Sequence, residues 1–411
     1  MGPPSSRRYE ELGVSSQKED VHHALAGVSA GLFPDCFCKV VGDVAGDDRY
    51  CSVLHSDTAG TKATLAYLLY RETGDASVFR GVVQDALVMN LDDVYCAGLP
   101  GEVLVSNTLL RNKRLVPAEV VVEVVRAYED LAREFSSLGV PVRTCGGETA
   151  DVGDVVRTVD VGCTVFARIE RGHVVRSGAV RPGDAIVGFA SDGRTAYERG
   201  PYNSGIGCNG ITLARHGTLV REYAERYPEI LDPGLPADLA FRGKHRLDDP
   251  LPGTELTVGH ALLSPTRTYA PLLRRVYEEL PAGSVHAAYH LTGGGQTKCL
   301  KFGPGVHYVK DDPFDIPPIF ELIQESSGTP WREMYQVFNA GHRLEVVCPA
   351  DMAERVLEIA GSSKLRVPAK VVGRVEKLET PAGATAARDD AGGRPRNVLT
   401  LVTPKGTFRY H

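Results

Sequence analysis

The sequence predicts a chain of mixed α/β character divided into two or three domains. Three observations carry that expectation. A length of 411 residues exceeds what one small core needs. Short runs rich in β-branched residues alternate with stretches of helical period. Several of those runs end in clusters of glycine, hydroxyl and acid, the side chains that connecting segments use to build sites. The composition, 43% apolar and 24% charged, is that of a soluble globular protein. A net charge of −6 leaves no basic excess for a nucleic-acid partner, although a local basic pocket for a small anion stays open. Met1 to Val21 lacks the apolar core of a signal peptide, and no apolar run approaches bilayer-spanning length. The nine cysteines (36, 38, 51, 96, 145, 163, 208, 299 and 348) are odd in number and scattered, which suits reduced thiols in a cytoplasm.

Residues 1–20 read as polar and mobile, with Lys18 the one chemically suggestive group before His22-His23. Cys36-Phe37-Cys38-Lys39 could be a reactive or metal-binding pair. No second pair stands at zinc spacing, so two small residues near a strand is the better reading. Tyr50 to His55 reads as a strand and Ala63 to Tyr70 as the start of a helix, which places His55-Ser56-Asp57-Thr58-Ala59-Gly60-Thr61-Lys62 at a strand end. There Asp57 can hold a hard cation, Gly60 lets backbone approach, and Lys62 offers a positive point charge. By itself this octapeptide is better read as an ordinary turn with a solvated lysine; the rest of the chain reverses that.

Asp75 and Ser77 can cap a helix from about Val78 to Cys96. On it Asp85 and Asp92 share one face, with Asp93 about a hundred degrees round. Their neighbours Ala86, Leu87, Val88, Met89 and Leu91 are apolar, and carboxylates in such a setting need a cation or donors. Glu102 to Thr108 reads as a strand. Pro117 opens an amphipathic helix to Leu138, its core stripe being Val121, Val124, Val125, Tyr128, Leu131, Ala132, Phe135 and Leu138. Val140 to Cys145 is a strand ending in Gly146-Gly147-Glu148-Thr149-Ala150-Asp151, and Val155 to Ile169 is another.

A turn at Arg181-Pro182-Gly183-Asp184 marks the domain boundary, giving domains at 1–179 and 180–411. Ala185 to Ala190 starts a new strand. The glycine-rich loop after it contains Gly205-Ile206-Gly207-Cys208-Asn209-Gly210, which matches a dinucleotide fingerprint by letter; no strand precedes it, so that reading is rejected. Residues 192–262 look like an insertion. Thr266 to Leu280 reads as a helix, and Val285 to Leu291 as a strand running into Thr292-Gly293-Gly294-Gly295. Three glycines there suit an anion approached by backbone N–H groups, or a tight turn. Pro317 to Ser326, Trp331 to Phe338 and Asp351 to Ala360 read as helices; Arg343 to Cys348 and Ala369 to Val375 read as strands. Residues 380–396 read as a disordered loop, and Val398 to Val402 could return as a short edge strand. No glycine-lysine phosphate loop of Walker type exists.

Taken together, six pieces resemble aminoimidazole ribonucleotide synthetase, the phosphoribosylformylglycinamidine cyclo-ligase family. They are Asp57-Thr58-Ala59-Gly60-Thr61-Lys62, Asp85 with Asp92-Asp93, Gly146-Gly147-Glu148-Thr149-Ala150, Pro265-Thr266-Arg267, Leu291-Thr292-Gly293-Gly294-Gly295, and Glu333-Met334-Tyr335 followed by Phe338-Asn339. They stand in the family's order over about residues 50 to 375. The chain departs from the family at Thr58-Ala59-Gly60, where Gly-Val-Gly is usual, and at 191–210, where only Asn209-Gly210 remains of a Ser-Gly-x-His-Ser-Asn-Gly loop. No catalytic histidine is therefore assigned.

The resemblance implies a two-domain α/β (α+β) protein whose N-terminal domain supplies sheet to a homodimer interface and whose C-terminal α+β domain closes the cleft. It implies ATP, Mg²⁺ and formylglycinamidine ribonucleotide in a cytoplasmic ligase that phosphorylates the formyl oxygen and then closes the imidazole ring. In that scheme Asp57, Asp93 and Glu148, with Asp92, hold Mg²⁺. Thr58, Gly60, Thr61, Lys62, Asp85, Gly146 and Gly147 serve the nucleotide, with Lys62 neutralising phosphate oxygens. Asn209, Gly210, Arg267 and Gly293 to Gly295 serve the ribonucleotide phosphate or the loop covering it. Alternatives within the same superfamily are selenophosphate synthetase, to which the Cys36/Cys38 pair gives some purchase, and thiamine-monophosphate kinase; a nucleotide-binding regulator with a dead site is the non-enzyme alternative.

Overall fold

The computed structural model describes residues 8–15, 24, 27–198, 200, 202–379 and 396–411. A one-turn helix, α1 (Arg8–Glu11), comes first. Strands β1 (Val40–Gly42) and β2 (Tyr50–Thr58) follow, then helices α2 (Thr61–Thr73) and α3 (Phe79–Cys96). β3 (Gly98–Arg111), α4 (Ala118–Ser137), β4 (Val142–Asp151) and β5 (Val159–Val174) complete a five-stranded sheet in the order β1-β2-β5-β3-β4. Only its β3–β4 pair is parallel.

The second half is built on a seven-stranded sheet, β12-β11-β8-β10-β6-β9-β7. Its strands are β6 (Asp184–Ala190), β7 (Ala287–His290), β8 (Val306–Lys310), β9 (His342–Pro349), β10 (Ala369–Lys377), β11 (Val398–Thr403) and β12 (Gly406–Tyr410). Between them lie helices α5 (Ile211–Thr218), α6 (Glu222–Arg226), α7 (Val258–Leu262), α8 (Ala270–Glu279), α9 (Pro318–Ser327), α10 (Trp331–Val337) and α11 (Ala353–Gly361). No helix among the described residues is long and apolar enough to cross a membrane.

Most expected elements form, and the differences have physical causes. The buried stripe of α4 runs through Val120, Val124, Ala127, Tyr128, Leu131, Ala132 and Phe135, leaving Val125 44% exposed. With valines at 120, 121, 122, 124 and 125, hydrophobicity alone could not set its phase. β4 continues through Gly146-Gly147-Glu148 instead of ending there: Gly146 sits at φ +91, beside a register shift between Val105 and Asn107. A β-bulge explains that glycine. Gly147 has no room for a side chain, since a Cβ would collide with Asn107. β11, expected at an edge, pairs on both sides, with β8 and with β12. Helix α8 begins only at Ala270, because Thr266–Tyr269 is held in another conformation by α3. The loop expected at 380–396 lies outside the described residues except Arg396, as do Lys18 and His22-His23.

α3 is apolar nearly all round and lies between the halves, against β2, β5 and α4 on one side and α8 and β7 on the other. Its aspartates find donors there. Asp85 Oδ1 accepts from Lys62 Nζ at 3.0 Å, from the Thr266 N–H at 2.8 Å and from the Thr266 hydroxyl at 2.5 Å. Asp92 accepts from the Thr268 hydroxyl at 2.7 Å and from the N–H groups of Tyr269 and Ala270 at 2.9 and 3.1 Å, so it caps α8 from a distant part of the chain. Asp93 Oδ1 lies 2.7 Å from His290 Nδ1 at the end of β7. Apart from Lys62, every one of these partners belongs to the second half. Burial pushes the Asp85 and Asp92 carboxyls upward, opposed by Lys62 at the first and by His290 at the second.

Asp92→Ala leaves the Tyr269 N–H and the Thr268 hydroxyl unpaired in the interior and the Ala270 N–H with only the Thr268 oxygen at 3.2 Å, so it should destabilise the fold by about 2–4 kcal/mol. Asp92→Asn, which keeps an acceptor oxygen, should cost less. Urea unfolding of the three proteins checks both; an Asp92→Ala protein as stable as the wild type would remove the capping role.

Candidate active site

Two helix N-termini meet where the halves join. α2 starts after Gly60 (φ 55) and α5 after Gly210 (φ 77), and neither has a side-chain cap. The Thr61 and Thr212 hydroxyls that follow them are 2.9 Å apart. At α2 the Lys62 and Ala63 N–H groups already donate to Ala59 O at 3.3 Å and Gly60 O at 3.1 Å, so what the mouth at this junction offers an anion is the positive end of two helix dipoles together with the threonine hydroxyls. Gly210 is required there: its φ is left-handed, and a Cβ would strike the Phe338 ring.

Neighbouring groups close round the mouth. Cys208 Sγ is 3.0 Å from Ala59 O, which joins the loop at 203–210 to the end of β2. The Asn209 amide oxygen is 3.8 Å from where a Gly293 Cβ would stand, so the expected pair of Asn209 and the triple glycine does assemble. Lys298 Nζ reaches the Thr292 hydroxyl at 3.0 Å and lies 3.4 Å from Gly293 O. The Tyr9 hydroxyl of α1 lies at the Gly210 N–H and beside Cys208. The backbone N–H groups of Arg8 and Tyr9 donate to Glu333 at 3.2 and 2.8 Å.

Beside the mouth runs a row of polar side chains that sequence reasoning missed. Asn90 spends its Nδ2 on Ala86 O at 2.9 Å and Cys163 O at 3.2 Å, so its Oδ1 accepts from His55 Nδ1 at 2.8 Å. His55 Nε2 then faces Asp93 Oδ2 at 3.5 Å, while His290 holds the other Asp93 oxygen. Burial alone would raise the Asp93 carboxyl. The hydrogen bond from His290, with the positive potential of His290, His55 and Lys298, outweighs it and holds the group below the ordinary carboxylate value. The signal for His55 was its place at the head of the Asp57 motif, and for His290 its place two residues before Thr292. Nothing in the linear sequence paired either with Asp93.

Other expected site residues are placed elsewhere or otherwise engaged. Asp57 is half-buried at the end of β2, with Oδ1 accepting from the Thr58 N–H at 2.8 Å. Lys62, expected on phosphate oxygens, is 0% exposed, and its three donors go to Asp85, to Gly207 O at 3.0 Å and to Ser264 O at 2.5 Å. Arg267, expected on the substrate phosphate or on the loop covering it, spends its guanidinium on Glu198 and on the carbonyls of Ala190, Asp192 and Gly193, where it clamps the loop after β6. Glu148 is exposed on the edge strand β4. The row Thr58–Gly162–Thr108–Glu148 crosses three strand spacings, so the backbone at Glu148 is about 14 Å from Thr58.

The magnesium cage expected from Asp57, Asp92, Asp93 and Glu148 is therefore not assembled within one chain. Asp92 and Asp93 are bound to protein donors, and Glu148 stands across the sheet. Among the described residues, no group of three or more His, Cys, Asp and Glu side chains could hold a metal ion. Cys36 and Cys38 are buried: burial pushes the Cys36 thiol up to about 12 and Cys38 well above its ordinary value, leaving no ready thiolate.

Comparison with known proteins places this geometry in context. A family model described as AIR synthase related protein, N-terminal domain, matches residues 37–169, and its C-terminal counterpart matches residues 181–382. The phosphoribosylformylglycinamidine cyclo-ligase of Methanococcus maripaludis is 28% identical over 383 residues, covering 92% of this chain and 94% of that protein. The protein of the same name from Methanopyrus kandleri is 34% identical over 255 residues, 61% of each chain. Among solved structures, Thermotoga maritima PurL complexed with ADP superposes with a TM-score of 0.50 at 16% identity, over 99% of this chain. The chain spans about half of that protein (51%), and the likeness is one of fold.

The depressed Asp93 carboxyl sets a pH dependence. Its stabilising effect is complete above the ordinary aspartate value, about pH 4, and is lost as pH falls through the lower folded-state value. Wild type should thus exceed Asp93→Asn in unfolding free energy near neutrality, with the gap narrowing below about pH 4. Denaturant titrations at several pH values check this; a gap that widens on acidification would contradict it.

Proposed function

The chain belongs to the AIR synthase related family, and from that premise we propose that it closes the imidazole ring of formylglycinamidine ribonucleotide at the expense of ATP. The observation that carries the proposal is the meeting of two helix N-termini at Thr61 and Thr212, beside the triple-glycine loop. Substrate and nucleotide both present phosphates, and two positive helix ends side by side are the complement both need. A formamide oxygen is a poor leaving group. Transfer of the terminal phosphoryl of ATP to it makes the leaving group inorganic phosphate, after which the amidine nitrogen attacks the formyl carbon and the ring closes. The protein's part in such a transfer is alignment and charge compensation.

On this reading Asp57, Thr58, Gly60 and Thr61 serve the nucleotide at the N-terminus of α2. Asn209, Gly210, Gly293, Gly294 and Lys298 serve the ribonucleotide phosphate at the N-terminus of α5. Lys62 and Arg267 become positioning residues, since their donors are committed. The carboxylates expected to hold magnesium do not converge in one chain, so charge compensation falls to the helix N-termini and Lys298.

We also assign the face of the first sheet that carries Leu54 to a homodimer interface. Leu54, Phe166 and Leu104 sit side by side across β2, β5 and β3, and Leu54 is 67% exposed.

Asp57→Asn should lower ATP-dependent turnover at least about a hundredfold while leaving the unfolding curve intact. Phosphate release assayed with and without formylglycinamidine ribonucleotide checks this; near-normal turnover would remove Asp57 from the site. Leu54→Glu should convert a dimer to monomers in sedimentation velocity, and a wild type already monomeric would refute the interface.

A further inference from the structure

Three consecutive glycines support themselves poorly, because glycine loses more backbone freedom on ordering than any other residue. Something outside Gly293–Gly295 must hold that loop. Gly295 packs directly on the Phe338 and Tyr335 carbonyls, where a Cβ would collide. Gln296, the next residue, is the anchor. Its side-chain oxygen accepts from Lys310 Nζ at 3.2 Å, and its backbone carbonyl accepts from the same atom at 2.8 Å. Its amide nitrogen donates to Asn339 O and to His342 O (3.3 Å), and lies 3.4 Å from His342 Nδ1.

The partners of Gln296 are themselves joined. Glu345 Oε1 lies 2.5 Å from Lys310 Nζ and 2.9 Å from His342 Nε2. Burial lowers the His342 imidazole, against the pull of Glu345. A neutral ring donates from Nε2 to the carboxylate and turns its Nδ1 lone pair to the Gln296 amide. The amide then has one satisfied orientation, oxygen to the ammonium and nitrogen to the carbonyls. Lys310, His342 and Glu345 are each 0% exposed. A core needs no such group for stability: apolar side chains of similar volume serve as well or better, and specifying one arrangement is the better-attested use of buried charge. The same node reaches the opposite loop. Asn339 donates to Gly205 O at 2.8 Å and accepts from the Ser191 hydroxyl at 2.8 Å.

We propose that Lys310, Glu345 and His342 are positioning residues that set Gln296, and through it the Gly293–Gly295 loop, in place to receive the phosphate of the ribonucleotide. Asn339 ties the loop at 203–210 to the same point, so the two loops keep their spacing. The phosphate assignment rests on the functional reading above; the control of the loop does not.

Two variants test the inference. Gln296→Leu keeps the volume and leaves Lys310 its carboxylate and carbonyl partners. Lys310→Met/Glu345→Gln removes both charges and leaves His342 an acceptor. Hydrogen exchange read by mass spectrometry should show the 293–301 amides exchanging about tenfold faster in each. The KM for formylglycinamidine ribonucleotide should rise about tenfold with kcat within about twofold, the pattern of lost binding rather than lost chemistry. Folded variants whose 293–301 amides exchange at the wild-type rate would overturn the inference, as would faster exchange with KM unmoved. Should the wild type not turn over this substrate, the exchange result still decides the positioning role, and the loss falls on the proposed reaction alone.

Discussion

Asp85, Asp92 and Asp93 leave one buried helix for the second half of the chain, and the joint between the halves depends on what meets them there. A carboxylate stripped of water is costly unless donors replace the solvent, and removing one partner of a buried charge costs about 3–5 kcal/mol. Each aspartate is met by a different segment: Thr266, the start of α8, and the end of β7. Slippage between the halves would strip Asp92 of its donors and leave Asp85 with Lys62 and Asp93 with His55 alone. The acids therefore specify relative placement, which apolar contact alone specifies loosely because it has no direction.

The candidate site follows from that placement. Once α3 and its partners are in register, the N-terminus of α2 faces the N-terminus of α5, and Lys62 bonds to Gly207 and Ser264 from beneath. Glycine is used there for several separate reasons. At Gly60 and Gly210 it provides a left-handed φ, at Gly295 it lets backbone meet backbone, and at Gly146 it permits a bulge. Only the first three bear on an anion, and the difference is invisible in a string of letters.

Second-half polar residues divide in the same way. Arg267 and Lys62, the cations a phosphate would seem to want, are consumed by internal partners. Lys298 on the short helical turn after the triple glycine stands at the mouth instead, and contributes to the low Asp93 value. A committed cation stiffens the walls of a site; Lys298, held by a hydroxyl, a distant carbonyl and the Phe37 ring 5.3 Å away, has no carboxylate bonded to it among the described residues and can still answer a ligand.

Most of the strands and helices and the family resemblance were legible in the sequence, because periodicity and turn chemistry act between near neighbours; the strands β1, β8 and β12 and the short helices α5 to α7 inside the expected insertion were not. The apolar surroundings of Asp85, Asp92 and Asp93 likewise said that donors or a cation must meet them. Which of the two it was lay with the tertiary structure, since Thr266, Tyr269 and His290 are about 180 to 200 residues away along the chain. Long-range pairing likewise hid the contacts of Asp93 with His55 and His290 and placed Glu148 across the sheet from Asp57. Residue type determined what each side chain could do, and only the packing of two sheets around α3 decided which partner it found.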